Sequence, residues 1–316
     1  MRALYFNGRS LSLEKDYQLK PCDETVVRVS LAGICGTDLE ILKGYAGFRG
    51  VLGHEFVGVV EESKNPELVG KRVVGEINVG CGTCSFCRKE LQRHCPYRTV
   101  LGIKERDGAF AEYLTLPEKN LHTVPENVSD TAAVFTEPLA AAYEILEQSH
   151  IDPSWRAAVV GDGRLGNLVA QVLSTVVHEV HVYGRHKRKM DILRDLGLKC
   201  FHVDESFEPH AYDLVVEASG KTTGLATAAN LVKPRGLLVL KTTVADAVSL
   251  NLSPLVVNEV NLLGSRCGPF QPALQALSKK LVKVQQLVDA VYSLEEYSTA
   301  FKHASSAGTL KILIRP

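Results

Sequence analysis

Val159-Val160-Gly161-Asp162-Gly163-Arg164-Leu165-Gly166 is the stretch on which the fold turns. It closes the apolar run Ala157–Val160 and opens into Asn167-Leu168-Val169-Ala170-Gln171-Val172-Leu173. Gly161-x-Gly163-x-x-Gly166 meets three demands of a dinucleotide loop: a tight turn after a strand, close backbone approach to a pyrophosphate, and tight packing of helix on strand. The helix that follows offers unpaired N–H groups and a partial positive charge to the phosphates. Alone, such a loop is a weak signal, and its context decides the reading. From Trp155 onward the pattern strand, glycine turn, helix repeats. Ala157–Val160, Val180–Tyr183, Leu214–Glu217, Leu237–Leu240 and Asn261–Gly264 read as buried parallel strands with helices between them. That alternation specifies a doubly wound α/β sheet.

The 316 residues, 45% of them hydrophobic, are enough for two domains with proper cores. Thirty-six basic residues balance thirty-six acidic ones, which argues against nucleic acid or an anionic membrane as the main partner. Met1–Gly8 has no apolar leader, and no stretch approaches a membrane span, so a cytoplasmic enzyme is the expectation. Residues 1–145 carry short β-branched runs such as Thr25–Val29 and Phe56–Glu61, broken by glycine and proline: a β-rich domain. A helix starting near Asp130 and running through Pro138 to Glu147 links it to an α/β domain over 146–268. Residues 269–316 form a C-terminal segment ending in Leu310–Ile314.

Cys81, Cys84, Cys87 and Cys95 follow the order Cys-x2-Cys-x2-Cys-x7-Cys, with Gly80, Gly82 and Thr83 as turn formers. Four thiolates at this spacing read as a closed tetrahedral zinc site that folds a lobe over 81–95. An iron–sulfur cluster is the chemical rival, and free or disulfide-paired thiols the plain one. Chain length and clustering favour reduced, metal-binding thiols over a secreted disulfide scaffold. Cys22, Cys200 and Cys267 have no partner at metal spacing and read as ordinary thiols.

The choice of dinucleotide is sharper. An acid that bonds the ribose 2′-OH of NAD is expected at the end of the second strand. Here Val180–Tyr183 runs instead into Gly184-Arg185-His186-Lys187-Arg188-Lys189. Gly184 leaves room for a 2′-phosphate, Arg185 can fork onto it, and Lys187 or Arg188 adds charge. NADP is therefore favoured, with NAD possible; the alternative is solvated charges at a helix start, mildly unfavourable there. Arg164 and Leu165 complete the loop, while Ser219 and Arg266 lie at carboxyl edges of strands, where cofactors bind in open sheets.

Upstream, Gly33-Ile34-Cys35-Gly36-Thr37-Asp38 precedes Leu52-Gly53-His54-Glu55-Phe56-Val57-Gly58, and Thr136-Glu137-Pro138-Leu139 follows the cysteine lobe. In this order the motifs resemble the zinc-dependent medium-chain alcohol dehydrogenase family over nearly the whole chain. The resemblance implies a GroES-like catalytic domain, a Rossmann domain, a C-terminal return to the catalytic domain and two zinc ions per chain. It also implies a hydride transfer between an alcohol and NAD(P), in a homodimer or homotetramer. Cys35 and His54 are then ligands of the catalytic zinc, with Glu137 as the third and Glu55 as ligand or exchange partner. Asp38 would accept from His54 and fix its tautomer. Thr37 would take the alcohol proton. Glu40 stands where histidine commonly continues the relay, and either receives the proton, binds a sugar hydroxyl or is a solvated side chain. Glu-Pro-Leu and Glu40 resemble the polyol, threonine and glucose dehydrogenase branch, implying a secondary alcohol, polyol or sugar substrate. A zinc-free quinone or enone reductase of the same superfamily and a non-catalytic zinc-binding interaction protein are the rivals. Two zinc ions, none, or one per chain would separate the three.

Overall fold

A computed structural model describes residues 1–19, 23–243 and 251–316. The chain forms two compact units, Met1–Glu137 with Leu287–Pro316, and Pro138–Gln286. Both boundaries differ from the expected ones at 145 and 268. The physical reason is packing: a Cβ on Gly268 would lie 2.0 Å from the Ala140 carbonyl. Gln171 is also bonded in both directions to the backbone of Lys283. Both sides of each supposed boundary therefore belong to the second unit.

In the first unit, β1 (Ala3–Phe6), β2 (Leu11–Glu14) and β4 (Gly50–Val51) form a small sheet ordered β2-β1-β4. The main sheet contains β3 (Thr25–Gly33), β5 (Glu55–Glu62), β6 (Arg72–Gly75) and β11 (Leu121–Thr123), with β10 (Tyr113–Leu116) paired to β3. Two strands of the C-terminal return, β18 (Val288–Ser293) and β19 (Lys311–Arg315), complete the order β11-β6-β5-β3-β19-β18. β7 (Asn78–Val79), β8 (Thr99–Leu101) and β9 (Glu105–Arg106) make a third sheet next to the cysteine segment in sequence. In β3, Val27, Val29 and Leu31 are buried while Arg28 is exposed, the period of two expected of an antiparallel strand covered on one face. Its last residues are buried throughout, and Gly33 stands opposite Glu55 on one neighbour and Leu313 on the other. That register delivers Glu55 to the place where β3 ends and α1 (Gly36–Leu42) begins.

The single helix expected from Asp130 to Glu147 is two, α2 (Asp130–Ala133) and α3 (Thr136–Gln148). Ser129 caps α2 by accepting from the Ala132 N–H. Pro138 sits in the first turn of α3, where no intrahelical partner is lost.

The second unit is a six-stranded parallel sheet ordered β14-β13-β12-β15-β16-β17. Its strands are β12 (Arg156–Val160), β13 (Glu179–Gly184), β14 (Lys199–His202), β15 (Tyr212–Glu217), β16 (Val232–Leu240) and β17 (Asn261–Gly264). Between them run α4 (Arg164–Leu173), α5 (Lys187–Asp195) and α6 (Thr222–Leu231). Ala157–Val160 and Val180–Gly184 are buried without alternation, as parallel strands covered on both faces are. Two details differ from the sequence reading. β14 was not expected, because Lys-Cys-Phe-His is a short, polar edge strand. β17 is an edge too, so Asn261, Leu262 and Gly264 are exposed rather than buried. Among the described residues, no helix is long and apolar enough to cross a membrane.

Candidate metal centres and dinucleotide loop

Cys35 is the N-cap of α1, and its backbone N–H donates to Asp38 Oδ2 at 2.8 Å. That capping bond holds the thiol and the carboxylate in one turn. Across the sheet, Gly53 adopts φ +95° just before His54, a left-handed conformation suited to glycine. Two further glycines pack behind it. A Cβ on Gly102 or Gly108 would approach the Gly53 carbonyl oxygen to 2.3 or 2.2 Å. Cys35, His54 and Glu55 thereby bring donor atoms within 4.8 Å of one another. His54 and Glu55 are buried and Cys35 half-buried.

The surroundings of this cluster are mostly negative. His54 Nδ1 lies 3.3 Å from Asp38 Oδ1, and both atoms are buried without a satisfied hydrogen bond. Burial alone would lower the imidazole pKa, but the Asp38 carboxylate and Cys35 sulfur outweigh it and hold it well above its ordinary value. One cation is built in: Lys311 of β19 is ion-paired with Glu55 Oε2, each side chain being 1% exposed. Its ammonium also lies 3.4 Å from the Ile34 carbonyl and 5.7 Å from the Phe135 ring centroid. Gly33 makes the room, since a Cβ there would meet Glu55 Oε2 at 2.6 Å. Orphaned buried polar atoms beside a thiol, an imidazole and a carboxylate fit zinc with three protein ligands and an open fourth position.

Other expected groups stand differently. Glu137, half-buried on α3, is outside the set of three donors. Thr37 Oγ1 is 3.8 Å from Cys35 Sγ, beside the cluster. Glu40 is paired with Lys43 at 2.8 Å and 43% exposed, the arrangement of a solvated side chain. Cys22 lies outside the described residues; Cys200 and Cys267 are not disulfide-bonded and belong to neither donor cluster.

Cys81, Cys84, Cys87 and Cys95 also gather within 4.8 Å. Cys95 is buried, Cys84 and Cys87 intermediate, and Cys81 exposed. The Cys81 N–H lies 3.4 Å from Cys95 Sγ and the Cys87 N–H 3.5 Å from Cys84 Sγ, amide donors that favour thiolate. Bonding to Thr83, through its side chain and then its backbone, pulls the Cys81 thiol down to about 6. A Cβ on Gly80 would meet Cys87 Sγ at 2.7 Å, so glycine is required for the ring of sulfurs to close. Among the described residues this His/Cys/Asp/Glu group consists of four sulfurs, which fit a closed structural zinc.

In the second unit the three loop glycines divide the work. A Cβ on Gly161, at φ +126°, would strike the Ala218 carbonyl at 2.5 Å, and one on Gly166 the Gly161 carbonyl at 2.1 Å. Gly163 faces open space and is the N-cap of α4, without a side-chain cap. Turn, packing and an uncovered helix N-terminus are the cradle a pyrophosphate needs. Arg164 and Leu165, the first residues of α4, are half-buried. Arg185, Lys187 and Arg188 are exposed beyond Gly184. The Ser219 hydroxyl donates to Glu217 at 2.6 Å, and Arg266 is exposed, its carbonyl accepting from Lys241 at 2.9 Å.

Sequence reading passed over Lys311, Asp162 and the Gly102–Gly108 pair. Lysine in the apolar run Leu310–Ile314 was a visible signal, since a charge inside a strand of the core needs a partner. The glycine pair left no such signal.

The profile of the Alcohol dehydrogenase GroES-like domain matches residues 21–126, and that of the Glucose dehydrogenase C-terminus matches 130–315, well over half the chain. A sorbitol dehydrogenase of Halalkalibacterium halodurans is 29% identical over 312 residues, covering 92% of this chain and 91% of that protein. D-arabinitol dehydrogenase 1 of Uromyces fabae is 29% identical over 341 residues, covering 100% and 97%. An alcohol dehydrogenase from E. coli CFT073 complexed with NADH superposes with a TM-score of 0.90 at 26% identity, covering 100% and 99%. A Sinorhizobium meliloti 1021 protein bound to NADP gives 0.90 at 25% identity, again covering 100% and 99%. With the metal-donor clusters and the glycine cradle already in place, these matches settle the kinship: the chain belongs to the zinc-dependent medium-chain alcohol dehydrogenase family, as an NAD(P)-dependent oxidoreductase acting on an alcohol.

Proposed function

We propose that this enzyme oxidises the secondary hydroxyl of a polyol or sugar with NADP, and reduces the corresponding carbonyl, using two zinc ions per chain. The observation that carries the reading is the gathering of Cys35, His54 and Glu55 donor atoms within 4.8 Å. Cys35 and His54 would hold the catalytic zinc together with one of two carboxylates, Glu55 or Glu137. Zinc, when bound, acts as a Lewis acid that eases loss of the hydroxyl proton at neutral pH. NADP, when bound, accepts the hydride. Asp38, whose Oδ1 faces His54 Nδ1 at 3.3 Å, would fix the ring, and Thr37, 3.8 Å from Cys35 Sγ, would take the departing proton. Lys311 holds Oε2 of Glu55, so a metal would be taken through Oε1. Cys81, Cys84, Cys87 and Cys95 would hold the structural zinc. Sugar-alcohol substrates are supported by the sorbitol and arabinitol dehydrogenases among the relatives.

NADP rather than NAD is supported by Gly184 at the strand end and by Arg185 just after it. Self-association as a dimer or tetramer is supported by the edge strand β17 with Leu262 exposed, close in sequence to exposed Val256 and Val257. A cytoplasmic location suits thiolate ligands that must stay reduced.

The test is metal analysis followed by a panel of polyols, sugars and simple alcohols with both cofactors. Two zinc ions per chain and NADPH formation fastest with polyols are expected. Enone reduction by a zinc-free preparation would overturn the reading. For the cofactor, NADPH should bind at least about tenfold tighter than NADH, about 1.4 kcal/mol, and Arg185→Ala should erase the gap. Equal binding would remove the NADP assignment alone.

A further inference from the structure

A run of basic residues, Arg185 to Lys189, leads into α5: Arg185 precedes it, His186 is its N-cap, and Lys187, Arg188 and Lys189 form its first turn. Cations at a helix N-terminus face the positive end of its dipole, so the run is unfavourable unless something beneath offsets it. The offsetting group comes from the glycine loop. Asp162, 6% exposed, accepts from the backbone N–H of Arg185 at 2.8 Å and of His186 at 2.6 Å, both through Oδ2. The His186 ring adds Nδ1 at 3.1 Å from both carboxylate oxygens. An acid is thus present near the end of the second strand, but it stands on the neighbouring loop and is used by the protein's own donors.

The same carboxylate explains Gly184. A Cβ at that position would lie 2.7 Å from both Cβ and Oδ2 of Asp162, inside any real contact. Asp162 and a side chain at 184 are mutually exclusive. An acid able to read a ribose 2′-OH from the strand end cannot be installed while Asp162 is in place. Among the described residues no ion pair claims the Arg185 guanidinium, whereas Lys187 is paired with Asp191 at 2.7 Å.

We infer that Asp162 is the positioning residue for dinucleotide selection. It excludes an acid from 184 and clamps the Gly184–His186 turn, so that Arg185 is presented to a 2′-phosphate. This rests on the NADP reading above and adds the residue that enforces it. Because Asp162 lies in the first turn of the glycine loop and not at the strand end, the choice of nucleotide is made by two positions acting as a pair.

The experiment is a fluorescence titration of NADPH and NADH against the zinc-loaded full chain and five variants: Asp162→Ala, Asp162→Asn, Asp162→Gly, Gly184→Asp, and Asp162→Gly with Gly184→Asp, glycine being needed at 162 because alanine keeps the Cβ that a side chain at 184 would meet. Asp162→Ala should weaken NADPH at least about fivefold, the scale of a lost charge-assisted anchor, and change NADH less than about twofold. Asp162→Asn keeps an oxygen for the two N–H groups and should stay within about twofold of wild type for NADPH, which also guards against a folding artefact. Gly184→Asp alone should weaken both dinucleotides. The double variant should bind NADH more tightly than the two single effects combined allow, the coupling expected of two positions in direct contact. An unchanged NADPH-to-NADH ratio in Asp162→Ala would overturn the inference. So would a selective loss of NADH there, which would make Asp162 the reader of the ribose. A wild type that prefers NADH would sink the NADP reading by itself, and the double variant would still decide whether 162 and 184 exclude each other.

Discussion

The four-cysteine lobe and the Cys35–His54–Glu55 cluster both bring their donor atoms within 4.8 Å, but by different routes. The lobe draws every donor from residues 81–95, between short turns, and leaves Cys81 exposed. The other cluster takes Cys35 from a helix start and Glu55 from a neighbouring strand. Lys311 reaches it from 256 residues further along. The lobe carries its basic residues, Arg88, Lys89 and Arg93, within the same short segment; the buried cluster draws its lysine from a distant strand. A structural metal can stabilise a local loop, since the chain has little else to order there. A catalytic one needs a site already rigid and already short of positive charge before it arrives, and that requires the whole sheet.

The sharpest way to break this comparison is to remove one donor from the buried cluster. His54→Ala should lower kcat/KM by about 5 kcal/mol, on the order of 10⁴-fold, the scale of lost Lewis-acid assistance. Zinc content should fall from two to one per chain, with the remaining ion in the lobe. Loss of both ions on metal analysis would show that the clusters are not independent.

Lys311→Met tests the built-in cation. Removing one partner of a buried pair leaves Glu55 charged and alone, which costs about 3–5 kcal/mol in the metal-free protein. Bound zinc would offset that charge, so the loss measured by urea unfolding should shrink when the metal is present. Equal losses with and without zinc would separate Lys311 from the metal site.

Asp38→Asn should have the smallest effect, about 10–100-fold on metal affinity or activity, because it removes the charge facing His54 while the amide oxygen can still accept from the Cys35 N–H. Competition with a chromogenic chelator should show the loss at the buried site and none at the lobe.

Much of this was legible in the chain, for identifiable reasons. Gly161, Gly163 and Gly166 each serve a backbone need that holds for any helix packed on any strand. The cysteine spacing is local, so Cys81 to Cys95 could be assigned without knowing what surrounds them. Other features depended on neighbours. Pro138 looked compatible with one continuous helix, yet the chain breaks after Ala133 and restarts at Thr136. β14 is too short and too polar for periodicity to reveal. From the letters Glu137 was the expected third ligand and Glu55 its exchange partner, yet among the described residues it is Glu55, opposite Gly33 in register, whose oxygen lies with the donors of Cys35 and His54.

By itself, then, the sequence determined the order of motifs, the parallel α/β half, the cysteine lobe and the absence of an acid at position 184. Each rests on contacts within a few residues or on a repeating pattern, which survive without knowledge of the fold. Only the tertiary structure decided that Lys311 meets Glu55, that Gly102 and Gly108 shape the backbone before His54, and that Asp162 fills the room missing at Gly184. Those depend on strand register and close backbone approach, where a few tenths of an ångström separate a contact from a clash.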